Sequence, residues 1–177
     1  MHTAPAPPIP NAYWVEPLRL LAGEYPGTRR AEDTAGRLAA LLAAGIDCFI
    51  DLTEPDELEP YEAVLRQVSP VGEADITWTR RPIRDFGVPT RPFMAALLDE
   101  VDGLLNAGHR VYVHCWGGVG RTGTVVGCYL VRHGMSGPEA LAQLAAWWQL
   151  VPKHALHPRS PETDQQVQYI LTWDGTR

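Results

Sequence analysis

The segment His114-Cys-Trp-Gly-Gly-Val-Gly-Arg-Thr-Gly123 constrains this chain more than any other feature. It follows a strand-like run, Arg110–His114, and leads into a helix expected over about Arg121–His133, stopped by Gly134. Its glycines permit a tight turn, close backbone approach and positive φ. A glycine-rich turn between a strand and a helix belongs at the carboxyl end of a sheet strand, where open α/β folds bind ligands.

Three readings of the turn compete. Gly118, Gly120 and Gly123 spell the dinucleotide fingerprint, yet the residues after Gly123 read as helices, with no second strand to carry a ribose-binding acid. An ATP-type phosphate loop fails because no lysine follows the glycines. A purely structural turn explains the glycines but leaves Cys115 and Arg121 without a purpose. The third reading is a phosphate cradle with a nucleophile. Cys115 and Arg121 bracket a loop whose backbone N–H groups can surround a tetrahedral oxyanion. The helix beginning at Arg121 adds its dipole at the same point, and both effects favour a thiolate. Arg121 can grip two oxygens bidentately, and Thr122 places a hydroxyl near the sulfur.

The rest of the chain reads as alternating strands and helices. Strands are expected at Leu18–Ala22, Ile46–Thr53, Ile76–Ile83 and Arg110–His114. Helices are expected from Asp33 or Thr34 to Ala44, near Tyr61–Val68, and from Thr90 to Asn106. Two more follow the Arg121 helix, from a Ser136/Glu139 capping box to about Gln149 and from Ser160-Pro161 to about Trp173. The expected fold is a single α/β domain over residues 12–177, with a mainly parallel twisted sheet of about four to five strands and helices on both faces. Residues 1–11 read as a proline-rich flexible tail with neither the basic start nor the apolar stretch of a secretory signal.

The net charge of −6 argues against nucleic-acid and anionic-membrane partners, and no apolar run approaches the length of a membrane span. Cys48, Cys115 and Cys128 are too widely spaced for a disulfide or metal framework, which points to a reducing compartment, the cytoplasm. Cys48 and Cys128 read as core thiols. His154 and His157 lack a third ligand nearby, so no metal is expected. Lys153 is the sole lysine among the basic residues. Arg80, Arg81, Arg84 and Arg91 outweigh Asp85 and suggest a local positive field. Glu54 reads as a solvated loop acid, with a brace for Arg121 as the alternative.

The pattern His-Cys-x-x-Gly-x-x-Arg-Thr-Gly resembles the signature of the cysteine-dependent protein tyrosine phosphatases, including the dual-specificity ones. Asp85-Phe86-Gly87-Val88-Pro89 resembles that family's acid loop, without its usual Trp-Pro, which favours the compact dual-specificity or bacterial branch. Ser160–Gln166 is similar to the family's glutamine loop, with Gln166 or Gln165 as candidates to position the hydrolytic water. Leu21–Gly27 resembles the opening of many bacterial members. The resemblance implies Cys115 as nucleophile, Asp85 as general acid, and Arg121 with the backbone of Trp116, Gly117, Gly118, Val119 and Gly120 as phosphate ligands. It also implies a phosphocysteine intermediate, His114 as an ordering residue, Thr122 as an aid to sulfur departure, and no cofactor. The expected substrate is phosphotyrosine in a protein or peptide, with phosphoserine and phosphothreonine as further candidates. The alternatives are an inositol-phosphate or other small-phosphomonoester phosphatase, and a non-catalytic phospho-binding module.

Overall fold

A mainly parallel sheet forms the middle layer of the computed structural model, which describes residues 5–69 and 76–175. The strands are β1 (Ala12–Glu16), β2 (Leu20–Gly23), β3 (Cys48–Asp51), β4 (Thr77–Arg80) and β5 (Val111–His114), in the spatial order β1-β2-β5-β3-β4. Among the described residues only the β1–β2 pair is antiparallel. The single α/β domain with a five-stranded sheet agrees with the expectation. β1 itself was not expected. The apolar run at Leu18–Ala22 is the second strand, and Leu18 (φ 60°) turns the corner between the two.

The helices are α1 (Ala31–Ala43), α2 (Glu62–Val68), α3 (Arg91–Asn106), α4 (Gly120–Arg132), α5 (Gly137–Trp148) and α6 (Asp164–Leu171). Their starts follow local chemistry. The Thr90 hydroxyl accepts from the Phe93 N–H, and Ser136 with Glu139 closes a capping box. α1 begins at Ala31, before the expected Asp33 or Thr34 cap, and the buried Thr34 hydroxyl instead accepts from the Thr28 N–H at 2.8 Å. α6 is capped by Thr163, boxed with Gln166, rather than by Ser160. None of the described helices is long and apolar enough to cross a membrane.

Alternation along the strands divides the core between two faces. Val111 and Val113 of β5 join Ile50, Leu97 and Val126 under α3 and α4, with α5 and α6 packed beyond. Tyr112 faces the other way, joining Phe49, Leu38, Leu41 and Leu65 under α1 and α2. The same parity sends Cys115 to the first cluster. α4 is buried on all sides through Leu130, and Gly127 lets α6 approach it. A Cβ there would lie 2.2 Å from Ile170 Cδ1.

Residues 1–4 of the expected tail lie outside the described residues, as do residues 70–75, 176 and 177. Ile9 is buried in the second cluster, and the Asn11 side chain bonds Glu24 and the Lys153 N–H. Cys48 and Cys128 are buried thiols. Trp148 is buried, and its indole donates to the His157 carbonyl at 2.7 Å, tying the segment after α5 to the core. Replacing Trp148 by Ala is expected to lower unfolding free energy by about 3–5 kcal/mol, measured by urea denaturation.

Candidate active site

β5 lies between β2 and β3, and its chain leaves the sheet at His114. Cys115 follows at once, only 2% exposed, at the floor of a cleft of about 310 Å³. Asp85, Phe86, Trp116, Arg121, Lys153 and His157 line that cleft. The loop from Cys115 to Gly120 is held by its carbonyls. The Trp116 carbonyl accepts from the Tyr25 N–H at 2.9 Å, that of Gly117 from Lys153 Nζ at 3.0 Å, and that of Val119 from the Ser160 hydroxyl at 2.7 Å. In a trans peptide the next N–H points the opposite way. The Gly118 N–H accordingly reaches the Cys115 sulfur at 3.3 Å. Gly118 has φ +73°, and a Cβ there would sit 2.6 Å from the Gly23 carbonyl carbon. Both conditions demand glycine. The buried Thr122 hydroxyl donates to the Gly23 carbonyl at 3.4 Å.

Arg121 is 2% exposed and needs an internal counter-charge. Glu57 supplies it with a bidentate pair, Nη1 to Oε2 at 2.7 Å and Nη2 to Oε1 at 2.6 Å. Burial would raise the Glu57 pKa, but the Arg121 hydrogen bonds outweigh it and hold the carboxyl below its ordinary value. Burial would lower that of Arg121, and Glu57 holds it above. Glu54 is neither free nor the brace. Its carboxylate accepts from the Asp85 N–H at 3.3 Å, and its own N–H donates to Glu57 at 2.9 Å.

Asp85 therefore sits over the cradle, with Oδ1 3.1 Å from Arg121 Nη2. Its loop is held on the far side by Gln166, whose Nε2 donates to the Gly87 carbonyl at 3.2 Å. The Gln166 Oε1 accepts from the Glu162 and Thr163 N–H groups, so this buried side chain joins α6 to the Asp85 loop. Gln165 is exposed.

His114 is fully buried and points away from the sulfur, toward α2. Its Nδ1 lies 3.3 Å from the Cys115 carbonyl, which can only accept, so Nδ1 carries the proton. Nε2 then accepts from the Tyr61 hydroxyl at 2.7 Å. Burial pulls the His114 pKa down to about 4, although nearby Asp51 favours the cation. Burial also holds the Tyr61 hydroxyl protonated, pushing its pKa well above the ordinary value.

The expected arginine field is not what the structure contains. Arg80 pairs with Asp51, Arg81 with Glu100, and Arg91 with Asp174. Three of the four charges are thereby balanced within the fold, and Arg84 is exposed. The lysine absent from the loop arrives instead from a short 3₁₀ turn, Pro152–Ala155. Glu57, Tyr61 and Lys153 carry no motif of their own. The one sequence signal for Glu57 is that a buried arginine in the loop requires an acid.

A family profile described as "PTP-SAK: Swiss Army Knife protein, DSP-PTPase phosphatase domain" matches residues 10–170. A protein bearing the name tyrosine phosphatase 067L, of Invertebrate iridescent virus 3, is 33% identical over 117 residues, 63% of this chain and 42% of its own length. The Arabidopsis thaliana protein named phosphatidylinositol 3,4,5-trisphosphate 3-phosphatase and protein-tyrosine-phosphatase PTEN1 is 30% identical over 130 residues, 72% of this chain and 30% of its own. The match thus spans less than half of either relative. The crystal structure of Tk-PTP in its active form shares the fold at TM-score 0.70 and 23% identity, covering 93% of this chain and 97% of that one.

The buried neutral imidazole sets a pH dependence. With a folded pKa of about 4 against about 6.5 unfolded, the unfolded chain binds more protons between those values. Stability therefore falls as pH drops from about 6.5 to about 4, by about 3 kcal/mol from this group. Urea denaturation at pH 7 and pH 4 should show a larger loss in the parent than in His114→Gln; equal losses would refute the assignment. Gly118→Ala should abolish the hydrogen bond to sulfur and cut activity at least tenfold, measured as kcat/KM.

Proposed function

The chain belongs to the DSP-PTPase group of cysteine-dependent phosphatase domains, and on that premise we propose that it hydrolyses phosphotyrosine in proteins through a phosphocysteine intermediate. The carrying observation is Cys115 on the floor of a cleft with Arg121 and Asp85 beside it and two aromatic walls above. Phe86 and Trp116 are each 58% exposed while lining that cleft, which suits an aryl ring on the scissile phosphate.

The Cys115 thiolate attacks phosphorus in line while Asp85 protonates the leaving oxygen. Incoming phosphoryl oxygens compete for Arg121 and free Asp85 to turn to the leaving group. Arg121, held by Glu57, and the loop N–H groups of Trp116 to Gly120 stabilise the equatorial charge. In the second step Asp85 acts as base on water, with Gln166 as the positioning residue. The bond from Gln166 to the acid loop supports that choice. Thr122 eases departure of the sulfur once its hydroxyl turns from the Gly23 carbonyl, which it reaches here only at 3.4 Å. The three free cysteines support a reducing compartment, the cytoplasm.

A polyphosphate substrate would favour unpaired cations at the rim. Lys153 is already bound to Glu24 at 2.5 Å, and this supports the phosphopeptide over an inositol polyphosphate. Turnover of phosphotyrosine peptide, phosphoserine peptide, inositol phosphate and nitrophenyl phosphate tests the reading. The expected order puts the phosphotyrosine peptide first. Faster turnover of the inositol phosphate, or phosphopeptide binding without any turnover, would overturn it. Cys115→Ser should abolish turnover. Asp85→Asn should lower kcat by about 10²–10⁴-fold on the tyrosine peptide, and less on nitrophenyl phosphate, whose leaving group needs less protonation.

A further inference from the structure

Lys153 belongs to no element of the cradle, yet it holds it. We propose that Lys153 is a positioning residue for the nucleophile: by gripping the Gly117 carbonyl, it turns the Gly118 N–H of the same peptide onto the Cys115 sulfur. The inference rests on the reading of Cys115 as nucleophile.

The two hydrogen bonds lie at opposite ends of one peptide unit. Lys153 Nζ donates to the Gly117 oxygen at 3.0 Å, and the Gly118 nitrogen donates to the sulfur at 3.3 Å. That unit joins two glycines, and with no Cβ on either side its rotation meets little steric resistance. An external partner must select the orientation. Tyr25 and Ser160 hold the neighbouring carbonyls with neutral donors. Gly117 alone among these three receives a cation, which makes a stronger, charge-assisted bond and polarises the amide toward a better donor.

Lys153 is itself fixed from behind. Its Nζ also meets the Glu24 carboxylate at 2.5 Å, and its N–H donates to Asn11 Oδ1 at 3.0 Å. Glu24 is held in turn by Arg37 and by the Asn11 amide. The ammonium therefore sits at a defined point beside the loop, with its side chain 19% exposed.

The test is alkylation of Cys115 by iodoacetamide against pH in the full chain, read by mass spectrometry of the Cys115 peptide. Parent, Lys153→Met and Lys153→Arg are compared. The other titratable groups around the sulfur and the lysine, Tyr13, Asp85, Tyr112, His114, Arg121 with its partner Glu57, His157, Glu162, and Glu24, which Arg37 still pairs, are the same residues in both variants. Lys153→Met should move the alkylation midpoint up by about one pH unit. Below both midpoints, kcat/KM on nitrophenyl phosphate should fall about tenfold. Lys153→Arg should restore most of both. Thermal melting of each variant separates these effects from unfolding. An unmoved midpoint in folded Lys153→Met overturns the proposal, and so does a raised KM with an unmoved midpoint, which would make Lys153 a substrate contact. If the parent hydrolyses no phosphomonoester, the catalytic reading fails, while the alkylation midpoints still decide whether Lys153 acts on the sulfur.

Discussion

A guanidinium buried to 2% exposure must find its counter-charge inside the fold, and much of the site follows from where Arg121 finds it. Glu57 meets it with two hydrogen bonds, which draws the segment between β3 and α2 over the end of the sheet. Glu54, three residues earlier, comes with it and catches the Asp85 N–H. The Ile83 carbonyl takes a further bond from Arg121. One buried cation thus ties the Cys115 loop, the Asp85 loop and the β3–α2 connection into a single unit. Losing either partner of the pair would strand a charge, so the arrangement is stiff as well as specific.

The loop itself is organised inside out. Its carbonyls are held by groups from the end of β2, from the 3₁₀ turn and from the segment before α6. The Gly118 N–H, on the far end of the peptide that Lys153 holds, is already oriented onto the Cys115 sulfur. Such preorganised dipoles need no rearrangement when charge develops, which is the main advantage of a protein cradle over water. The net charge of −6 says nothing against this, because acids such as Glu24, Glu57, Asp51 and Glu100 balance arginines and Lys153 within the fold.

Much was legible in the sequence where the governing physics is local. The Thr90 cap and the Ser136/Glu139 box form where their spacing predicts, because a cap is an interaction over three residues. The glycine-rich turn between β5 and α4 is equally local. β1 was missed because its partner β2 and the positive-φ corner at Leu18 create it, not an alternating pattern. The start of α6 shifted to Thr163 because Ser160 is engaged elsewhere, donating to the Val119 carbonyl. The arginines near Asp85 looked like a field because their partners Glu100 and Asp174 lie on distant helices or beyond them.

By itself the sequence determined the cradle: a cysteine and an arginine at a fixed separation, glycines between them, a strand before and a helix after. Those are properties of a few consecutive residues, set by backbone geometry and by the absence of Cβ atoms. Only the tertiary structure decided which of several neighbouring acids braces Arg121, and that the sole lysine holds the loop. Glu57 is 64 residues from Arg121, and Lys153 is 36 from Gly117. Contacts at such separations depend on how strands and helices stack, and no local spacing records that.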